Sequence, residues 1–179
     1  MKIVKEKKDV HDMIKKISRD ISKEDLDNTV LIGIRTGGAF LASRIKNLIK
    51  TLTGKDVPLG ILDITLYRDD WTRIGPAPIV RKTEIPFTVN DKIVVLIDDV
   101  LFTGRTVRAA IDAILDYGRP KKIKLAVLID RGKESRELPI CADYIGDTIE
   151  TALQETINVY LEEQGYEDMV AVEEIKKDE

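Results

Sequence analysis

Four short aliphatic runs, spaced by helical patterns, constrain this chain more than anything else in it. They are "NTVLIGI" (28–34), "VPLGILDITLY" (57–67), "KIVVLID" (92–98) and "KIKLAVLID" (122–130), rich in β-branched residues and nearly continuous in apolar character. Runs of that length and kind belong to strands covered on both faces. Amphipathic helices are expected around them. Residues 9–22 put Val10, Met13, Ile14, Ile17 and Ile21 on one face. After "RTGG", Leu41, Ile45, Leu48 and Ile49 repeat the pattern, and "RTVRAAIDAILDYG" (105–118) ends at Gly118 before Pro120. Strand and helix in alternation predict an α/β fold, a central, mostly parallel sheet with helices on both faces. "INVYLEE" and "MVAVEE" around "QGYED" predict a terminal hairpin at about 156–174, after an irregular segment. No repeat or linker interrupts the chain, so residues 1–179 are expected to form one domain.

Composition excludes several functions. Cys141 is the only cysteine and His11 the only histidine, so neither an intrachain disulfide nor a His/Cys metal cluster can form. Cys141 itself reads as a half-buried small apolar residue. The N-terminus "MKIVKEKKDVHDMIKK" is too charged for a signal peptide, and no apolar run approaches the roughly 18 residues of a spanning helix. A soluble, cytoplasmic protein without a membrane partner is expected. The net charge of −3 is unevenly spread, for residues 131–179 carry 14 acids against 5 bases.

In open parallel sheets, ligands bind beyond the carboxyl ends of the strands. Three loops reach that edge: "RTGG" (35–38), "DDVLFTGRT" (98–106) and "DRGKESRELP" (130–139). In the second, Thr103, Gly104, Arg105 and Thr106 stand where a strand hands over to a helix. The first amides of that helix lack internal partners and its dipole favours an anion. This is a cup for one phosphate. The Walker spacing is missing, which disfavours nucleoside triphosphate hydrolysis. Asp98 and Asp99, read as a solvent-facing strand end, could accept hydrogen bonds from a vicinal diol. A ribose 5-phosphate would satisfy both features, its phosphate in the cup and its 2- and 3-hydroxyls on the acids. A metal-dependent phosphoacceptor domain would also cluster acids at a strand end, but leaves the cup unexplained.

"VVLIDDVLFTGRT" (94–106) resembles the phosphoribosyl pyrophosphate motif of the type I phosphoribosyltransferases. More narrowly, "DITLYRDDW", "DDVLFTGRTVRAAIDAILDYGRP", "LAVLIDRG" and "RELPICADYIG" resemble the bacterial pyrimidine operon attenuators that are also uracil phosphoribosyltransferases. The resemblance spans about residues 10–175. It implies the type I phosphoribosyltransferase fold with a flexible β-arm loop at about 68–88 and a small hood at about 131–155. It also implies transfer of ribose 5-phosphate from phosphoribosyl pyrophosphate to uracil, giving UMP and pyrophosphate, with Mg2+ as cofactor. Val94, Val95, Leu96, Ile97, Asp98, Asp99, Val100, Leu101, Phe102, Thr103, Gly104, Arg105 and Thr106 then form the phosphoribosyl pyrophosphate motif. Within it Asp98 and Asp99 are the catalytic acids and, directly or through water or the substrate, the metal site. Arg35, Thr36, Gly37 and Gly38 correspond to the pyrophosphate loop. Arg68, Arg73, Arg81 and Lys82 are candidates to close over pyrophosphate, while Trp71 reads equally as lid or hydrophobic anchor. Uracil falls to Ile129, Asp130, Arg131 and Gly132, below Leu138 to Cys141, read largely by main-chain groups. A homo-oligomer is also implied, for which apolar residues left exposed on the first helix could serve.

Three departures matter. The operon regulators typically carry Arg where this chain has Gly37, a lost charge near pyrophosphate. Purine members usually have Asp where this chain has Phe102, which disfavours a purine. The RNA-binding members carry a basic run where this chain reads "GDTIETALQE", and no Lys or Arg occurs between Glu137 and Ile175. RNA affinity needs cations to neutralise phosphates. Transfer is therefore expected to be retained and attenuator-type RNA binding to be weak or lost, Lys15, Lys16, Arg19 and Lys23 offering only one basic strip. The alternative is a UMP-sensing RNA-binding regulator with little catalysis.

Overall fold

The computed structural model describes residues 1–69 and 81–175. The elements in chain order are β1 (Lys2–Lys5), α1 (Lys7–Ile21), β2 (Thr29–Ile34), α2 (Gly37–Thr53), β3 (Leu59–Leu62), β4 (Ile93–Leu101), α3 (Arg105–Leu115), β5 (Lys122–Asp130), β6 (Tyr144–Thr148), β7 (Glu155–Tyr160) and β8 (Met169–Glu174). Five strands form one sheet in the order β3-β2-β4-β5-β6, every pairing parallel. β1, β8 and β7 form a separate antiparallel sheet.

The aliphatic runs do what their composition requires. Leu31, Val95, Ile97, Ala126 and Leu128 face α1 and α2, in a core that continues into Ile157, Val159, Leu161 and Val170 of the smaller sheet. Val30, Ile32, Val94, Leu96, Leu125 and Val127 face the opposite way, onto Val107, Ala110, Ala113 and Ile114 of α3. The α/β class with helices on both faces follows from that two-sided burial, as expected.

The structure corrects several details. β6 lies within the segment read as irregular. Its burial alternates on the sheet's edge, so it lacks the continuous apolar run of a central strand. β1 pairs with β8 although "KIVK" is too short and charged to signal a strand; the pairing comes from tertiary contact. The first helix exposes no large apolar residue, because Val10, Met13, Ile14, Ile17 and Ile21 are all buried. Exposed large apolar side chains lie elsewhere, at Leu66, Leu115, Tyr117 and Leu153 among others. Cys141 is exposed rather than half-buried, since its neighbours Ile140 and Ala142 turn in against the core.

Arg44 of α2 anchors the smaller sheet's hairpin. Its guanidinium donates to Glu163 Oε1 and Oε2 at 2.8 and 2.6 Å and to both carboxylate oxygens of Asp168. Asp168 is buried and also accepts the Glu162 amide at 2.9 Å.

Candidate active site

Parallel register decides what meets at the sheet's carboxyl edge. Gly33 of β2 pairs with Ile97 of β4, so Arg35–Gly38 and Asp98–Asp99 leave the sheet side by side. Two glycines make that closeness work. A Cβ on Gly38 would overlap the Ile97 carbonyl and approach Asp98 Cα to 3.0 Å, and one on Gly37 would overlap the Asp99 carboxylate, with Cγ at 2.9 Å. The Arg35–Thr36 peptide between β2 and α2 is cis. The loop with no bulk at 37 and 38 thus holds α2's N-terminus against the acid pair.

The acids are not solvent-facing, contrary to the reading from sequence. Asp98 is 7% exposed and Asp99 half-buried. Asp98 Oδ1 accepts the Asp99 amide at 3.0 Å, and Asp99 Oδ1 accepts the Val100 amide at 2.8 Å. Burial, with the Asp99 charge beside it, pushes the Asp98 carboxyl well above the usual aspartate range, and Arg68 offsets this only in part. Burial likewise raises the Asp99 carboxyl. The pair is arranged to bind hydroxyl donors or a cation that replaces a proton.

Beyond the acids, Gly104 caps α3 with φ 91°, a left-handed conformation suited to glycine. The first amides of α3 lie beside a cleft of about 690 Å3 lined by Arg68, Asp69, Phe102, Thr103, Gly104, Arg105 and Thr106. The Arg105 side chain is engaged by Asp69, at 2.8 Å, and by Glu137, so the cup is made by backbone and hydroxyls. A second cleft, of about 370 Å3, runs between Asp99 and Val100 and the terminal-hairpin residues Asn158, Tyr160, Gln164 and Tyr166. Val94, Val95, Leu96 and Ile97 are buried to the last atom or nearly so, and serve as core rather than as ligand contacts.

Ile129, Asp130, Arg131 and Gly132 come together where β5 ends, all buried. The Asp130 carboxylate is engaged by the Arg136 guanidinium and by the Gly132 amide at 2.8 Å. Arg136 also donates to the Leu101, Phe102 and Ile140 carbonyls, bracing the loop after β4 against the loop after β5. Sequence reasoning missed Arg136; its only signal was an arginine inside a stretch otherwise read as hood. Arg35 Nη2 donates to the Lys82 carbonyl at 3.1 Å, and the Arg81 amide donates to Asp63. Arg81 and Lys82 therefore stand beside the 35–38 loop and Arg68 beside the cup. Arg73, with Asp70 and Trp71, lies outside the described residues.

No cluster of three or more metal-ligating side chains occurs among the described residues. Two adjacent carboxylates suit Mg2+ only when a ligand supplies most of the oxygens. No helix among them is long and apolar enough to cross a membrane.

A parallel sheet with an acid pair at its carboxyl edge and a glycine-capped helix start beside a cleft is the frame of the phosphoribosyl transferase domain family, and the chain belongs to that family, matching it over residues 2–164. More particularly, it is 47% identical to the bifunctional protein PyrR of Syntrophobacter fumaroxidans over 97% of this chain and 93% of that one. It is 58% identical to the bifunctional protein PyrR of Pelotomaculum thermopropionicum over 81% and 79% of the two chains. Among solved structures, the hypoxanthine phosphoribosyltransferase of Trypanosoma cruzi superposes with TM-score 0.70 at 16% identity, covering 96% of this chain and 95% of that one. At that identity the likeness is one of fold.

Proposed function

We infer that the protein is a uracil phosphoribosyltransferase, forming UMP and pyrophosphate from uracil and phosphoribosyl pyrophosphate. The observation that carries this reading is the Asp98–Asp99 pair, buried and half-buried at the end of β4, just ahead of the Gly104 cup, within a chain closely related to PyrR proteins. The first amides of α3 take the 5-phosphate, and the acids take the ribose hydroxyls. Pyrophosphate lies at Arg35–Gly38 with Arg68, Arg81 and Lys82 around it. Uracil lies on the main chain of Ile129–Gly132. Uracil N1 bonds to ribose C1 as the bond from C1 to pyrophosphate oxygen breaks and the N1 proton leaves. Asp98 and Asp99 stabilise the positive charge that develops on the sugar. Mg2+ arriving with the substrate would be held by these acids and substrate oxygens, and supplies charge to the departing pyrophosphate.

The relatives' name, bifunctional, favours a second role beside transfer. An RNA-binding regulator that senses UMP is the alternative; against it stands the acidic hood, where Asp147 is already paired with Lys5. Calorimetry tests the primary reading. UMP should bind, and uridine, which lacks the phosphate, should bind at least tenfold more weakly. Equal affinities would sink the assignment of the cup.

A further inference from the structure

Arg131 is a buried cation without a matching anion among the described residues. It is 4% exposed, and its Nη2 donates to the Ala152 and Glu155 carbonyls at 3.2 and 2.9 Å. Its Nε is buried and unpartnered. The guanidinium lies 3.8 Å from the Phe102 ring centroid. Among the described residues no carboxylate forms an ion pair with it. Asp130, its neighbour, is taken by Arg136. Glu155 directs its carboxylate to the Ala152 amide at 2.9 Å, and Glu150, beside Gly132, is exposed. A buried, unpaired charge is costly, and an apolar side chain of similar length could bridge the same gap at lower cost. Burial duly lowers the Arg131 pKa.

We propose that Arg131 supplies the positive potential that stabilises uracil as it becomes an anion during transfer. The inference rests on the uracil reading above. In the reaction N1 forms its bond to C1, the C1–oxygen bond breaks, pyrophosphate leaves with that electron pair, and the N1 proton passes to solvent. Negative charge spreads onto the uracil oxygens as N1 loses its proton. A fixed cation set over the Phe102 ring, which itself lines the cleft at Thr103–Thr106, favours that anion over the neutral base, and this difference lowers the barrier. Phe102 packs against the guanidinium, and the two carbonyls fix its orientation without neutralising it. Arg131 thus acts as a positioned charge, while the main chain of the same loop meets the base.

The test compares uracil with 5-fluorouracil, whose fluorine makes N1–H more acidic and lessens the need for outside stabilisation. Arg131→Met should lower kcat/KM for uracil by roughly 10²-fold, with a clearly smaller loss for 5-fluorouracil. The KM for phosphoribosyl pyrophosphate should stay near the wild-type value. Arg131→Lys should restore most of the activity and of the uracil-to-fluorouracil ratio. If Arg131→Met does not fold, Arg131→Lys against Arg131→Gln supplies the same comparison of ratios. Equal losses for the two bases, a rise in the phosphoribosyl pyrophosphate KM of similar size, or no loss would overturn the inference and leave Arg131 a packing strut. A wild-type protein that makes no UMP would instead bring down the uracil reading, and this inference with it.

Discussion

The Asp99 carboxylate occupies the space that a side chain at Gly37 would need. A Cβ there would overlap Asp99 Oδ2 and come within 2.9 Å of Cγ. Arginine at this position in related regulators suggested from sequence that Gly37 is a loss. The packing instead predicts that restoring bulk is harmful here. Gly37→Ala should reduce transfer about tenfold or more by moving a charge-stabilising group, and Gly37→Arg should not exceed wild type. Steady-state kinetics decide it; a Gly37→Arg enzyme faster than the parent would refute this reading of the loop.

Burial of Asp98 predicts a trade between stability and activity. The carboxylate sits in a poorly solvated place beside a second acid, and Asn keeps an oxygen to accept the Asp99 amide. Asp98→Asn should therefore stabilise the ligand-free protein by about 1–3 kcal/mol while lowering kcat by roughly 10²-fold. Asp99→Asn should cost similar activity. Thermal melting and turnover are measured on one preparation, and a destabilised Asp98→Asn protein would contradict the account.

The terminal hairpin's attachment should be acid-labile. Burial alone would raise the Asp168 carboxyl, but hydrogen bonds from Arg44 and the Glu162 amide, with the Arg44 charge, hold it below its ordinary 3.8. The Arg44 hydrogen bond likewise lowers Glu163 from 4.5. Depressed folded-state values mean stability fully present above those ordinary values and lost as pH falls through the lower, folded ones. Arg44→Met should cost roughly 3 kcal/mol at neutral pH, since it strands the buried Asp168. It should also flatten the pH dependence of melting below pH ~5. Parallel melting curves for the two proteins would argue against this anchor.

Much of this was legible in the sequence and some was not. Aliphatic runs such as "KIVVLID" announce a doubly covered strand because both faces select the same residue types. Thr103–Thr106 announces the handover from β4 to α3, because a glycine beside hydroxyls before a helix has a local signature. The burial of Asp98 had no such signature, since adjacent acids at a strand end read as solvated. It results from the start of α2 and the terminal hairpin packing beside them, contacts made across the chain. Arg136 and the unpaired Arg131 were hidden for the same reason: their partners, Phe102, Leu101 and Ala152, are distant in sequence.

Phe102→Asp should not convert the enzyme to purines. The ring is covered by Arg131, so an introduced carboxylate would pair with that guanidinium and be unavailable to a base. Uracil transfer should fall and hypoxanthine and guanine remain unused. Measurable turnover of either purine would show that this side chain alone sets the choice.

RNA binding should be weak. Lys5 is engaged by Asp147, Lys7 by Glu162, and Lys16 by the Ile145 and Gly146 carbonyls at 2.8 and 3.1 Å, so part of the basic complement near the hood is already committed. Filter binding at near-physiological salt should detect no tight, uridine-nucleotide-dependent complex with the chain's own operon leader transcript. Such a complex at nanomolar protein would favour the regulatory reading.

The most direct measurement is product formation from uracil, phosphoribosyl pyrophosphate and Mg2+, with UMP and pyrophosphate quantified together and hypoxanthine in parallel. The account predicts UMP and pyrophosphate in equal amounts, dependence on Mg2+, and a loss of about 10²-fold in Asp99→Asn. No UMP at any pH from 6 to 9, or turnover of hypoxanthine in place of uracil, would contradict it.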